Sequence, residues 1–341
     1  MPTTLARRTL VAGALLGAVL TGSTAPAQNF QPARAVVTAD QNAALRYWRA
    51  FAMMDENLRN LLGADAATLT DPTFEASPEL RKAVADASSV IDQLTLGASM
   101  AQCDFGVDRN LGVGALLPQL QPMRSAARLL LVDARLQIEA GDSRTAAERI
   151  ATALRMADHA AQDGFVICSL VSVAMFSGVR SVTEQLLDQG AFSAEDRAVL
   201  RDALAMFPAG DPFRAEAAIR GEADSITDWV RATLKEADGR ETLTRALDDG
   251  SSPSFRTAAL DALEQATLQS HADLLRVAYA QLLAAWNAPD PEAALAKLGE
   301  EVDAGAFGSF ARTLLPALDR FRRNVTQANA EFDAFRDRLA E

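Results

Sequence analysis

The chain has 341 residues, 49% apolar and 23% charged, enough to bury a large core in one or two domains and too apolar for general disorder. Asp and Glu outnumber Lys and Arg by 45 to 33, a net charge of −12 whose sign repels phosphate backbones and excludes nucleic acid as a main partner. Only Lys82, Lys235 and Lys297 are lysines, and the other 30 basic residues are arginine, which reads as codon bias beside so much alanine rather than as anion recognition.

The first 27 residues read as an export signal. Arg7 and Arg8 precede an uncharged, apolar stretch that ends at Ala25-Pro26-Ala27, a small-x-small site for cleavage between Ala27 and Gln28. The strongly apolar part is too short to span a bilayer, so no stable membrane span is expected after signal removal. Cleavage removes two arginines and no acid, taking the net charge from −12 to −14. Arg7-Arg8-Thr9-Leu10 fits a twin-arginine signal and equally an ordinary charged leader, so the export route stays open. The expected location is the periplasm or the extracellular space.

Residues 28–40 read as a flexible leader, and 41–341 as the helical domain. Asn42 opens a helix carrying Leu45, Trp48, Phe51, Leu58 and Leu62 on one face and stopping at Gly63. After a loop, Ser77-Pro78-Glu79 supplies an N-cap, a first-turn proline and a first-turn acid for a helix through Leu80, Val84, Ala87, Ile91 and Leu94. A glycine-bearing connection over 97–114 leads to a helix starting near Pro118 or Pro122 and ending at Gly141, and Asp142 caps the next helix over 143–160. Asp163 and Arg180 bracket sixteen uncharged residues, which predicts a helix buried at the centre of the fold and ended by Gly190. Ser193 with Asp196 gives a capping-box start to 194–207, and Asp211-Pro212 starts a helix running to Glu236. A short helix at 240–247 precedes a polar stretch around 248–254, the one plausible internal subdivision. A long helix then reaches Trp286, with Leu274, Val277 and Leu282 tending to one side, before Asn287–Pro291 breaks it. Two or three helices occupy 291–340. No alternating run argues for a sheet, so the fold class is all-α: a multi-helix bundle or irregular array of α-hairpins.

Residues 130–154 are similar to a tetratricopeptide hairpin. Gly141-Asp142 forms the turn, and the small residues Ala134, Ala146 and Ala153 permit close helix approach. Asp133 and Gln137 stand where that consensus has Leu and an aromatic, and no second copy follows at the expected interval. More broadly, Asn42–Phe51, Cys103-Asp104-Phe105-Gly106, Leu116-Leu117-Pro118, the Gly141-Asp142 turn, Ile167–Val171 and Arg220-Gly221-Glu222 resemble, in that order, a group of exported helical proteins common in planctomycete bacteria. The resemblance implies export and an all-α fold, and no catalytic residue.

Motifs that carry chemistry are sparse. His159 and His271 are far apart, with no His-x3-His or Cys-x-x-Cys spacing, so no metal site is expected and no cofactor is implied. His159, near a helix C-terminus, reads as an imidazolium favoured by the helix dipole, and His271 as a surface or half-buried residue. Cys103 and Cys168 admit two readings, a disulfide closing a long loop or a small hydrophobe at 168 inside an apolar helix. Gly-x-Ser-x-Gly and phosphate-loop patterns are absent. Tyr47, Trp48 and Phe51 form an aromatic cluster suited to core packing, with an interface anchor as the second reading. Gly221 interrupts a helical pattern at about 1 kcal/mol relative to Ala, which a close helix crossing explains, and Arg220 and Glu222 flank it as candidate pocket or interface residues. The sequence favours a non-enzymatic interaction or scaffold module bound to another envelope protein. The alternative is a small-molecule binder or enzyme with a pocket between helices.

Overall fold

The computed structural model describes residues 38–64, 68–247, 263–315 and 318–341, with the side chains of 318–320 excepted. The export signal with Ala27 and Gln28, nearly all of the 28–40 leader, the 248–254 subdivision and the start of the long helix before residue 263 lie outside the described residues.

The described chain is all-α, as the patterning predicts. Its helices are α1 (Ala43–Met53), α2 (Glu56–Ala64), α3 (Pro78–Asp86), α4 (Ser88–Ala98), a 3-10 segment (Arg109–Gly114), α5 (Leu120–Glu139), α6 (Ser143–Ala161), α7 (Val166–Asp188), α8 (Ala194–Leu204), α9 (Ala215–Thr233) and α10 (Gly239–Leu247). They continue as α11 (Gln265–Trp286), α12 (Pro291–Asp303), α13 (Gly308–Leu314) and α14 (Leu318–Ala340). No β-strand occurs among the described residues, and the one extended pairing is an isolated bridge between Asn42 and Gln102.

Side-chain caps place the helix starts. Asn42, Ser77, Asp142, Ser193 and Asp290 each accept a backbone N–H from the first turn, and Ser193 with Asp196 forms the full reciprocal box. Gly141 and Gly190 follow α5 and α7 with φ of 82° and 68°, where a side chain is disfavoured.

Several boundaries differ from the sequence reading. The first helix breaks at Met54-Asp55 because Asp55 accepts the Leu58 N–H at 2.7 Å and caps a new helix, which then runs through Gly63. The second divides at Ala87 into α3 and α4. Asp211 does not start α9 directly: its carboxylate reaches over Pro212 and Phe213 to the Ala215 and Glu216 N–H groups, and Arg214 between them is left-handed at φ 53°. On α1, Tyr47 lies at the centre of the buried face while Leu45 points outward. On α11, Leu268, Ala272, Leu275, Tyr279 and Leu282 form the buried stripe, and Val277 faces solvent.

Two apolar cores result. The first joins α1 through α8, with α5, α6 and α7 as successive packed hairpins at its centre. Ala134, Ala146, Ile150, Ala153 and Leu154 are fully buried across the α5–α6 pair. Asp133 and Gln137, the departures from the tetratricopeptide pattern, are used differently: Asp133 accepts from Arg149 Nε at 2.7 Å and from Gln137 Nε2 at 3.0 Å, tying the hairpin by charge. The second core joins α9 through α13 and the first half of α14. The last half of α14 crosses back, seating Phe332 and Phe335 among Phe176, Phe207 and Phe213 of the first core. By length and composition α7 could cross a membrane, and half of its most apolar window is buried within the fold.

Candidate functional site

The buried polar groups concentrate around the end of α6, the 162–165 turn and the first turn of α7. On the α6 side, Tyr47 from α1 places its hydroxyl 2.7 Å from His159 Nδ1, and His159 Nε2 lies 3.0 Å from the Met100 carbonyl oxygen. A carbonyl only accepts, so Nε2 carries the proton and donates to Met100, leaving Nδ1 to accept from Tyr47. Burial pushes the imidazole down to about 4, with nearby Asp158 only partly opposing it. His159 is therefore neutral, and the imidazolium expected at this helix end is not what the fold holds. Charge next to it resides in Asp158, which accepts from the Arg214 guanidinium at 2.8 Å and from Gln162 Nε2 at 3.0 Å. Gln162 Oε1 in turn accepts the Cys103 N–H at 2.9 Å.

One residue on, Asp163 organises the opposite side. Its carboxylate accepts from Gln119 Nε2 at 2.8 Å and from the Phe105 N–H at 3.5 Å. The Arg109 guanidinium donates to the Asp163 carbonyl oxygen and lies 5.0 Å above the Phe165 ring. Ser225 of α9 donates to the Arg109 carbonyl oxygen at 2.6 Å. Gly112, at φ 52°, lies so close beneath Trp229 that a Cβ there would fall 2.3 Å from the indole. Of the glycines in the 97–114 connection, Gly112 serves close approach to α9, while Gly97 lies against Tyr47 of α1.

Glu222 of α9 completes the arrangement. Its Oε1 accepts the Val166 N–H, the first of α7, at 2.9 Å, and Phe165 supplies no side-chain cap of its own. Burial raises this carboxyl to about 7 against the lowering effect of that hydrogen bond. The close approach expected at Gly221 is made by a turn rather than by a crossing helix: a Cβ there would sit 2.3 Å from the Gly164 carbonyl oxygen and 2.8 Å from the Arg109 guanidinium. Tyr279 of α11 is raised by burial and by Glu222.

The sequence-selected residues divide accordingly. Glu222 is central, whereas its neighbour Arg220 is exposed and pairs with Glu216 one turn away. Tyr47 is a core residue with a polar tip, and Trp48 is half-buried, edge-on to Phe51 and Phe105. The Cys103–Cys168 disulfide is not formed. Cys103 lies beside Tyr47, while Cys168 lies beside Asp163, Glu222 and Arg109, where burial pushes its thiol up to about 12 and withholds the nucleophilic thiolate. His271 is half-buried, packed on Gly308, and its Nδ1 accepts the Ser309 N–H at 3.3 Å. Sequence reasoning missed Arg109, Gln119 and Asp163 as one group, because their spacing follows no motif and the fold alone assembles them.

Chemically, the site holds a carboxyl that exchanges a proton near neutrality, a neutral imidazole with a fixed tautomer and a protonated thiol. Among the described residues no group of three or more His, Cys, Asp or Glu side chains is placed to hold a metal ion. Comparison with protein-family models, curated proteins and solved structures found no match.

Proposed function

We propose that the chain is an exported helical scaffold of the cell envelope, working by contact with another envelope protein, with the tetratricopeptide-like α5–α6 hairpin at the centre of its first core. The observation that carries this reading is the distribution of exposed apolar side chains. Leu45, Met53, Leu96, Leu116, Ile167 and Met206 stand exposed on or beside the first core, against Val277 on the second and Leu111 in the 3-10 segment that packs on α9. A contiguous apolar surface held in water marks a contact site, and these side chains are the candidates to form one. Leu116 is the most open of them, 77% exposed in the connection before α5.

A photo-crosslinking residue at position 116, in protein expressed in its own cell, tests this reading. A discrete adduct with one protein from position 116 and none from position 277 is the expected result. Equal or absent labelling at both overturns the assignment of the contact surface. A second reading, binding of a small polar molecule, draws on the proton-exchanging Glu222. A stoichiometric extra mass in native but not denaturing mass spectrometry would establish it in place of the first.

A further inference from the structure

The two cores meet where the first turn of α7 lies against α9, and a carboxyl makes the contact. Val166 and Leu170 of α7 pack with the second core, while Cys168 and Val171, on the same two turns, belong to the first. The N–H groups at the start of this 23-residue helix lack intrahelical acceptors, and here a carboxyl oxygen from the other core, Glu222 Oε1, accepts the first of them. Gly221 brings that acceptor within reach by letting the Gly164 carbonyl approach the α9 backbone.

We propose that Glu222 is a proton-operated latch between the two cores: protonated, it keeps the α7–α9 seam closed, and ionised, it draws the carboxylate toward water and opens the seam. The groups facing it fix the direction. The Arg109 guanidinium lies against α9 at Gly221 and is engaged with the Asp163 carbonyl and the Phe165 ring. Cys168 and Tyr279, which face Glu222, are neutral because burial raises both. Burial of Glu222 outweighs the help it receives from the helix end and raises it from 4.5 to about 7. The closed seam therefore binds a proton that the hydrated, open form releases. The proton's contribution to closure is fully present below 4.5 and is lost as the pH rises through about 7. Phe332 and Phe335 of α14 remain in the first core while Phe321 and Val325 remain in the second, so opening at the seam leaves the halves joined.

Amide hydrogen exchange of the full chain reads the latch directly, because Glu222 is the acceptor for the Val166 N–H. After correction for intrinsic base catalysis, protection at Val166 should fall about 10- to 100-fold between pH ~4.5 and ~7.5, the range set by a shift of this size in a half-buried carboxyl. Protection at Leu154, inside the first core, should not follow it. In Glu222→Gln, which keeps a carbonyl acceptor but does not titrate, the Val166 dependence should vanish. A flat profile in the parent protein, or the same slope in the Gln variant, overturns the latch. If the Gln variant fails to fold, carbon-13 titration of the glutamate carboxyls in the parent decides: one resonance with a midpoint near neutrality supports it, and all midpoints near 4.5 overturn it.

Discussion

Acidification should weaken the first core through His159, and the size of the effect follows from its surroundings. The ring is 3% exposed, it accepts from Tyr47 at one nitrogen and donates to the Met100 carbonyl at the other. Adding a proton at Nδ1 removes the acceptor that Tyr47 uses and places a charge where no carboxylate bonds to the ring. The folded protein resists that proton down to about 4, whereas an unfolded histidine takes it near 6.5. Between those values the unfolded chain binds more protons, so stability rises with pH: the contribution is fully present above 6.5 and lost as the pH falls through about 4. At ~1.4 kcal/mol per pH unit the gap amounts to about 3 kcal/mol. Urea unfolding of the parent and His159→Gln at a series of pH values isolates this contribution. Glutamine supplies one donor and one acceptor without titrating, so common contributions from surface carboxylates cancel in the difference. The parent's advantage over the variant should be constant above pH ~6.5 and should shrink by about 3 kcal/mol on approaching pH ~4. A difference independent of pH would refute the reasoning, as would an imidazole NMR titration with a midpoint near 6.5 in the native protein.

The other predictions concern the seam and the ties between helices. Glu222→Gln should raise stability relative to the parent by about 1–3 kcal/mol at pH ~8 and leave it unchanged near pH ~4, measured by the same urea titrations, because only the ionised carboxylate is disfavoured by burial. Gly221→Ala should lower stability by about 1–3 kcal/mol despite alanine's better helix propensity, since the new Cβ meets a backbone carbonyl that cannot rotate away. A thermal melt showing stabilisation would mean that α9 and the 162–165 turn are not tightly packed. Asp133→Ala removes the acceptor for Arg149 Nε and Gln137 Nε2 and should destabilise by about 1–3 kcal/mol, with Arg149→Ala coupled to it in a double-mutant cycle. Phe332→Ala, in the aromatic cluster that seats α14, should cost about 3–5 kcal/mol in chemical denaturation.

What the sequence disclosed follows how local each determinant is. Caps at Ser77, Asp142, Ser193 and Asp290 act within one turn, so their side-chain types announce the helix starts they form. The uncharged run around α7 announced burial because water excludes few alternatives for such a segment. The break at Asp55 was hidden by apolar residues that keep helical spacing on both sides, and the Val277 face was misassigned because Leu, Ala and Val occur all round α11. Of the site, Gly221 and Glu222 left a trace through a glycine costly in a helix, and Tyr47, His159 and the two cysteines stood out by residue type without any sign that they meet. Tyr47 and His159, 112 positions apart, and Arg109 and Asp163, 54 apart, become neighbours only when α1 and the 3-10 segment dock on the end of α6. No spacing rule encodes that meeting.

The 162–165 turn shows why those contacts matter together. A connection between helices ordinarily lies in water, where its backbone groups are satisfied and substitution is tolerated. Here each residue of the connection is committed. Gln162 bridges Asp158 to the Cys103 backbone, Asp163 holds Gln119 by its carboxylate and Arg109 by its carbonyl, Gly164 takes φ 69° with its oxygen against Gly221, and Phe165 lies under Arg109. Four of these contacts reach the segment before α5, and one reaches the second core. The neutral imidazole of His159 precedes the turn and the Glu222-capped Val166 N–H follows it, with opposite proton linkages. Between 4.5 and 6.5 unfolding releases a proton at Glu222 and takes one up at His159, so their effects on overall stability offset while each remains locally strong. A pH-independent melting temperature in that range would thus be compatible with two opposed local responses, and only residue-level exchange or the single variants separate them.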